Sequence, residues 1–259
     1  MSALPDAVAI LRCFSAEENA LSHGALVRKA GLPKSTVSRL LGLMTDEGLL
    51  SYEAETRSYR PGVLLFQLGQ LYRARNGLLN LIERELKGFA ETIGHTAYIA
   101  VRDGTEQIVL RTVPGKNPLR VINAVGERSP IHATSNGRAL LARLPTAEIL
   151  KIFPGALPAV SPNAPRSLDE LLLRLARIRH NGVSEAANET LAGVASLGIA
   201  IVDPETQESY GIAVSFPSLA TSPDEIAHIR RAVLEIGLKV GAGVGDAFWA
   251  GLPAEREVG

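Results

Sequence analysis

Residues 31–41 read GLPKSTVSRLL, and they carry the pattern that decides the fold of the first part of the chain. After Pro33, apolar side chains recur at positions i, i+3, i+4 and i+7, which is the spacing of one face of an α-helix. That apolar face consists of Val37, Leu40, Leu41 and Met44. The opposite face holds short hydroxyls and cations without an acid, at Lys34, Ser35, Ser38 and Arg39. A solvated helix face usually mixes both signs of charge, so this face is unusual.

Two further helices are predicted in front of this one. Residues 3–15 form a short amphipathic pattern whose apolar members are Val8, Leu11 and Phe14. Ser22 is placed to cap a second helix, HGALVRKAG, and Gly31 ends it. Pro33 suits the first turn of the third helix, which Gly48 ends.

A hairpin is predicted directly after the third helix. The stretch LLSYEAETRSYRP alternates like two strands around a polar tip that contains Arg57. The order of helix, helix, turn, helix and hairpin is that of a winged helix-turn-helix domain, which we assign to residues 1–61.

The distribution of charge in this domain favours binding to DNA. Residues 1–61 hold seven cations and seven acids, but no acid lies between Ala20 and Thr45. Phosphates repel carboxylates, while helix N-termini, hydroxyls and cations suit phosphate oxygens and base edges. The alternative is an ordinary solvated helix face, which the adjoining helix, the hairpin and the missing acids make a weaker explanation. The candidate DNA contacts are Arg28, Lys34, Ser35, Thr36, Ser38, Arg39 and Arg57.

The bulk composition limits the class of protein. A length of 259 residues allows two domains, and 46% hydrophobic with 21% charged residues is typical of a globular chain. The net charge of zero excludes a globally basic coat, so any nucleic-acid surface must be local. No apolar run reaches the length of a membrane span, the N-terminus lacks the pattern of a signal peptide, and the single Cys13 fits a reducing compartment. We therefore expect a cytoplasmic protein without a membrane partner.

The second part of the chain predicts a different architecture. Residues 62–76 form a helical stretch suited to link two domains, and a further helix is expected at 78–93. Strands are expected on both sides of Asp103-Gly104 and at 119–124, 194–202 and 210–216. Helices are expected at 136–143, 146–152, 167–181 and 223–246. The fold class is thus α+β, with an antiparallel-sheet domain over residues 77–250.

Several segments in the same order resemble the IclR family of bacterial transcription regulators. They are KAGLPKSTVSRLLGLMTDEGLL, YRPGVLLFQLGQL, SPIHATSNGRALLARLP, NGVSEAANETLAGVASLGIAIVD and YGIAVSFPS. The resemblance implies a winged helix, a linker helix and a C-terminal GAF-like domain that binds a small effector. It also implies a homodimer or homotetramer on a near-palindromic double-stranded DNA operator.

A pocket is expected in the second domain. Thr134 or Ser135 is placed to cap a helix whose first N–H groups can receive an anion, and Ser196 and Ser215 lie in otherwise apolar strands. Each serine could instead be a small residue with a satisfied hydroxyl. By resemblance to the family, the effector contacts are Leu119, Val121, Ser135, Asn136, Gly137, Ser196, Ala213 and Ser215. Glu189 also matches the family pattern, as a structural hydrogen bonder or an effector contact. A small organic acid or related carbonyl compound fits this set.

An enzyme is the alternative class, in which the α+β domain would act on a small metabolite. The five histidines have no paired metal-ligand spacing, and no phosphate-binding loop or nucleophile elbow occurs in a suitable setting. We expect His132, in front of the capped helix, to be a hydrogen-bonded structural residue. Neither a metal nor a cofactor is expected. A third possibility is a winged helix that contacts protein alone.

Overall fold

The computed structural model describes residues 3–15, 17–75, 77–117 and 123–252. The chain divides into two compact units, Met1–Gly77 and Leu78–Gly259. Among the described residues, no helix combines the length and the apolar character that crossing a membrane requires.

The first unit is a winged helix-turn-helix, as the sequence predicts. Its three short strands form an antiparallel sheet in the order β1-β3-β2. The elements are α1 (Ala3–Leu11), β1 (Leu21–Ser22), α2 (His23–Ala30), α3 (Lys34–Asp46), β2 (Leu50–Glu53), β3 (Ser58–Pro61) and α4 (Val63–Arg75).

Local chemistry explains the bounds of the first helices. The Ser22 hydroxyl accepts a hydrogen bond from the Ala25 N–H at 3.3 Å, and Gly31 ends α2 with a φ of 64°. Helix α3 buries its predicted apolar face against Ile10 and Leu26. The buried members of that face are Val37, Leu40, Leu41 and Met44.

The prediction for the first helix is wrong in two respects. Helix α1 ends at Leu11, because the amides of Cys13 and Phe14 bond three residues back (Cys13 N–H to the Ile10 carbonyl, 3.1 Å) and tighten the chain into a turn. Ile10 is its fully buried residue, whereas the predicted Val8 is 36% exposed.

The second unit is a six-stranded antiparallel sheet in the order β6-β5-β4-β9-β8-β7, with helices on both faces. Its strands are β4 (Thr96–Asp103), β5 (Glu106–Val113), β6 (Arg128–Pro130), β7 (Ser184–Ala187), β8 (Val194–Val202) and β9 (Ser209–Pro217). Its helices are α5 (Gly77–Ile93), α6 (Ser135–Ala142), α7 (Thr146–Ile152), α8 (Leu168–Asn181), α9 (Pro223–Ile236) and α10 (Ala247–Ala250). The α+β, GAF-like prediction is therefore confirmed.

The two faces of this sheet bury separate cores. Helices α5 and α9 and Trp249 of α10 pack on one face, where Ile99, Ile199 and Ile212 point. Helices α6, α7 and α8 form the other core, which includes Ala200 of β8. The hairpin predicted at Asp103-Gly104 joins β4 to β5, with Gly104 at a φ of 63°. The short edge strands β6 and β7 were not predicted, and the strand expected at 119–124 falls mainly outside the described residues.

The single long helix expected at 223–246 is less regular and slightly shorter than predicted. Helix α9 ends at Ile236, a wide π-helical turn follows over Gly237–Gly241, helical residues continue to Gly243, and the chain then turns back into α10. Only glycine fits at Gly237 and Gly241 in this turn, because a Cβ there would lie 2.3 or 2.2 Å from the indole ring of Trp249. These two glycines therefore leave the space in which the Trp249 ring packs.

Gly198 generates a prediction about how α6 lies on the sheet. A Cβ at this position would come within 2.6 Å of the Asn136 nitrogen, so β8 accepts α6 only without a side chain there. We expect Gly198→Ala to lower the free energy of unfolding by about 1–3 kcal/mol through overpacking, as measured by chemical denaturation. Gly88→Ala on α5, where the space around the Cβ is open, is the control and should raise stability by about 0.5–1 kcal/mol. Equal loss in both variants would contradict the close contact.

Candidate functional site

The predicted DNA-contacting side chains lie on the surface of the first unit. Lys34, Ser35, Ser38 and Arg39 of α3 are exposed, as is Arg28 of α2. Thr36, which lies beside them on α3, is half-buried. In the hairpin between β2 and β3, Arg57 is exposed and takes a left-handed backbone conformation with a φ of 50°.

The cations of this unit fall into two groups. Lys29 pairs with Glu18, and Arg60 pairs with Glu53 at 2.8 Å. The other cations of residues 1–61 make no ion pair within the described part of the chain; they are Arg12, Arg28, Lys34, Arg39 and Arg57. These cations are available for an anionic partner without breaking an internal contact.

His23 is a neighbour of α3 that the sequence reading missed. Its Nε2 lies 2.8 Å from the Ser38 Oγ, and the two groups share a hydrogen bond between α2 and α3. The histidine therefore orients one of the hydroxyls on the predicted DNA-contacting face. Its position at the start of α2 carries no signal of this in the sequence, because the contact joins residues 15 positions apart.

In the second unit, a cavity lies between one face of the sheet and the start of α6. The empty space amounts to about 550 Å³, part of which is open solvent. Its lining includes Ser135, Asn136, Ser196, Ala213 and Ser215, which were named from the sequence. Gly137 is not among the lining residues, and Leu119 and Val121 lie outside the described residues. Strands β5, β4, β9, β8 and β7 all contribute to the wall.

The start of α6 is fixed by short-range hydrogen bonds. The Thr134 hydroxyl accepts a hydrogen bond from the Gly137 N–H at 3.2 Å. Thr134 is therefore the N-cap of α6, a role for which the sequence allowed either Thr134 or Ser135. Ser135 is the first helical residue, and its hydroxyl donates to the Ser196 Oγ at 2.8 Å across the cavity edge. Gly137 packs behind the helix start, because a Cβ there would lie 2.3 Å from the Ile131 carbonyl oxygen.

Tyr98, Gln107 and Asn123 also line the cavity, and the sequence reading missed them. Burial raises the pKa of the Tyr98 phenol to about 12, against the lowering effect of a hydrogen bond from the Asn123 backbone. The phenol is therefore neutral near pH 7. Strand alternation is the sequence signal that could have identified Gln107, since it shares the inward face of β5 with the buried Val109.

A buried ion pair between Arg138 and Glu189 lies beside the cavity. The guanidinium of Arg138, 1% exposed, donates to both carboxylate oxygens of Glu189 at 2.5 and 2.9 Å. It also donates to the carbonyls of His132, at 2.9 Å, and Glu185. Arg174 adds a third contact to the Glu189 carboxylate at 3.1 Å. Glu189 borders the cavity, but its oxygens are engaged by these arginines.

His132 lies next to this network and is fully buried. Its Nε2–H donates to the Pro158 carbonyl at 3.1 Å, which is the structural role expected from the sequence. Burial lowers the pKa of the imidazole, the Pro158 hydrogen bond opposes this, and nearby Arg138 lowers it further. Within the described residues, no group of three or more histidines, cysteines or acids is placed to hold a metal ion.

Two family models match this chain. The bacterial transcriptional regulator IclR C-terminal model matches residues 70–242, and the IclR helix-turn-helix domain model matches residues 7–54. The chain belongs to the IclR family. The family resemblance read from the sequence is thereby confirmed, and with it a DNA-binding transcription regulator that carries an effector-binding domain. Because IclR proteins are transcription regulators and not enzymes, the alternative of a sensor-type enzyme is set aside.

Individual relatives agree over nearly the whole chain. The HTH-type transcriptional regulator TtgV of Pseudomonas putida is 28% identical over 242 residues, which are 93% of this chain and 91% of the relative. A crystal structure of an IclR-type protein from Silicibacter sp. TM1040 has a TM-score of 0.84 at 23% identity, covering 99% of this chain and 100% of that one. An IclR homolog from Microbacterium hydrocarbonoxydans, crystallised with 4-hydroxybenzoate, has a TM-score of 0.72 at 23% identity, with 93% and 100% covered. At these identities the two crystal structures support the fold alone.

The Arg138–Glu189 pair generates a stability prediction. Arg138→Met leaves a buried carboxylate with only Arg174 to compensate it, so the free energy of unfolding should fall by about 3–5 kcal/mol. In the Arg138→Met, Glu189→Met double variant the charge is gone, and part of this loss should return. Arg128→Met, which breaks solvent-exposed pairs with Asp103 and Glu106, is the control and should cost at most about 1 kcal/mol. Additive losses in the double variant would show that the two charges are not coupled.

Proposed function

We propose that this IclR-family protein binds a near-palindromic operator as a homodimer or homotetramer, and that a small organic acid or related carbonyl compound modulates the binding. In this proposal residues 1–61 bind the DNA, 62–76 form the linker helix and 77–250 bind the effector. The proposal places the protein in the cytoplasm, where the DNA is.

The observation that carries the DNA-binding part is the acid-free face of α2 and α3. Its cations Arg28, Lys34 and Arg39 are exposed and have no carboxylate partner in the described residues, and Ser35 and Ser38 supply neutral hydrogen-bonding groups beside them. A phosphate can therefore bind these cations without first breaking an internal ion pair of the described chain. Lys34 to Arg39 would enter the major groove, where an arginine is able to grip a guanine through two hydrogen bonds. Arg57 would reach the adjacent backbone or minor groove.

The exposed apolar side chains of α4 support self-association. Phe66, Leu68 and Leu71 are 64%, 51% and 60% exposed, and Val63 and Tyr72 are also exposed. A monomer seldom leaves so many large apolar residues of one helix in water, so a second copy is the partner we propose for α4. Two copies would set their α3 helices about 34 Å apart, or a multiple of that distance, on an inverted repeat.

The cavity of the second unit supports the effector part. Its wall combines hydroxyl and amide side chains with apolar ones such as Val109, Leu191 and Val194, so it offers a small molecule both hydrogen bonds and apolar contacts. Ser135 and Asn136, the first residues of α6, lie at its border, and a helix N-terminus favours the negative end of a ligand. The M. hydrocarbonoxydans homolog was crystallised with an aromatic carboxylate, 4-hydroxybenzoate, which belongs to the proposed class. An effector would act by binding one arrangement of the dimer more tightly than another.

The DNA-binding part predicts the behaviour of Lys34 and Arg39. Fluorescence anisotropy with the DNA upstream of the chain's own gene should show that Arg39→Ala weakens specific binding by about 1–3 kcal/mol. Removing a phosphate contact by Lys34→Ala should also reduce the salt slope of log K by about one.

The control for these variants is Arg231→Ala, which removes an exposed cation from α9 and should leave the operator affinity unchanged. Circular dichroism tests that each variant is folded. Specific binding that survives the Lys34→Ala, Arg39→Ala double variant would assign the DNA to another surface. Binding without salt dependence would favour the alternative of a winged helix that contacts protein.

The effector part predicts the behaviour of the cavity serines. Ser135→Ala removes the hydrogen bond to Ser196, and Ser215→Ala removes a hydroxyl from β9, so both should shift the dose response of DNA binding to small carboxylates such as 4-hydroxybenzoate. Operator affinity without compound, measured in parallel, separates effector binding from DNA binding. Ser51→Ala in the first unit is the control. A dose response identical to that of the unmodified protein in both cavity variants would remove these serines from the site.

A further inference from the structure

Within the cavity, one buried polar atom has no partner among the described residues and points to a specific feature of the ligand. We infer that Gln107 binds a hydroxyl group of the effector and so selects hydroxylated compounds over their non-hydroxylated analogues. The inference rests on the proposed function, because it requires that the cavity accept a small molecule.

The position of Gln107 in the sheet is unambiguous. It lies on β5, paired with Arg102 of β4 on one side and Ser129 of β6 on the other. It faces inward together with Val109, and both residues line the cavity. Gln107 is only 3% exposed, and glutamine is rare on the buried face of a strand.

The side-chain oxygen of Gln107, Oε1, is buried and has no hydrogen-bond partner among the described residues. An unpaired buried acceptor destabilises a fold, and an apolar side chain of the same shape would avoid the cost. Packing alone therefore gives no reason for a glutamine at this position, whereas a ligand that completes the hydrogen bond does.

The missing partner must donate a hydrogen bond, and this requirement selects its chemistry. A carboxylate has no proton to give. An ammonium group would need a counter-charge, but Glu189, an acid on the cavity wall, already binds Arg138 and Arg174. Within the class of small organic acids and carbonyl compounds proposed above, the uncharged donor is a hydroxyl, which donates to Oε1 and can equally accept from the amide nitrogen if the carboxamide turns over. We therefore assign the carboxylate or carbonyl end of the effector to the α6 side and a hydroxyl to Gln107.

The test compares ligands that differ in one group, with the full-length protein. The probes are 4-hydroxybenzoate against 4-methylbenzoate, and hydroxyacetate against propionate, because a methyl group replaces the hydroxyl at nearly the same size. Calorimetry should show each hydroxylated compound binding roughly five- to a hundredfold more tightly than its methyl analogue in at least one pair. In Gln107→Met, a variant of similar shape, that preference should fall to about one. Gln67→Met, the same change at an exposed site on α4, should keep it.

A second measurement does not depend on any ligand. Gln107→Met should leave the midpoint of thermal unfolding of the free protein unchanged or raise it, because an unpaired buried polar group is removed. A fall of several degrees would mean that the amide has a structural partner, and it would overturn the inference.

The outcomes separate the two proposals. A hydroxyl preference that is equal in the unmodified protein and in Gln107→Met overturns the role of Gln107 but leaves effector binding in place. Binding without any hydroxyl preference does the same. If none of the four compounds binds, both this inference and the organic-acid class of effector fail, while DNA binding by α3 is untouched. A preference that disappears in Gln107→Met alone supports the inference.

Discussion

The architecture of the second unit depends on one buried interaction, the ion pair between Arg138 and Glu189. The guanidinium joins α6 to the segment after β7 through Glu189, and it ties in the carbonyls of His132 and Glu185. Removing both charges from water is costly, and it is compensated here because the guanidinium makes four hydrogen bonds and the carboxylate receives two arginines. The pair therefore specifies where α6 lies relative to β7 more than it adds stability.

The position of α6 on the sheet allows a cavity to form beside its first turn. Helix α6 rests on the backbone of β8 and β9 at two glycines, Gly198 and Gly211, where a Cβ would approach Asn136 to within 2.6 and 2.8 Å. With the helix held against the sheet at these points, its first turn borders the space next to Ser196 and Ser215. The ion pair and the glycines thus act together. The ion pair sets the position of α6 relative to β7, and the two glycines allow α6 to lie close to the sheet.

The sequence predicted what short-range chemistry determines. Ser22, Gly31 and the Asp103-Gly104 turn act within a few residues, so the caps and the hairpin could be read directly. The π-helical turn after α9 could not, because nothing within a few residues signals it, and its glycines meet Trp249 only in the folded chain. Gln107 was missed for the same reason, since its lack of a partner among the described residues is visible only when the sheet and α6 are brought together. The cavity serines were found chiefly through family resemblance, because a serine in a strand has many structural roles.

The distribution of ion pairs, rather than the net charge of zero, separates the two functions of the chain. In the second unit, Arg111 binds Glu83 at 2.8 Å and Arg143 binds Asp246 at 2.5 Å, so these charges serve the fold. In the first unit, the cations of α3 have no such acid within reach in the part of the chain that the structure describes. A cation that the protein does not neutralise itself is free to bind a phosphate backbone, and this binding releases the counterions of the DNA. Zero net charge is therefore compatible with DNA binding, because no acid lies between Ala20 and Thr45 to compete with DNA for these cations.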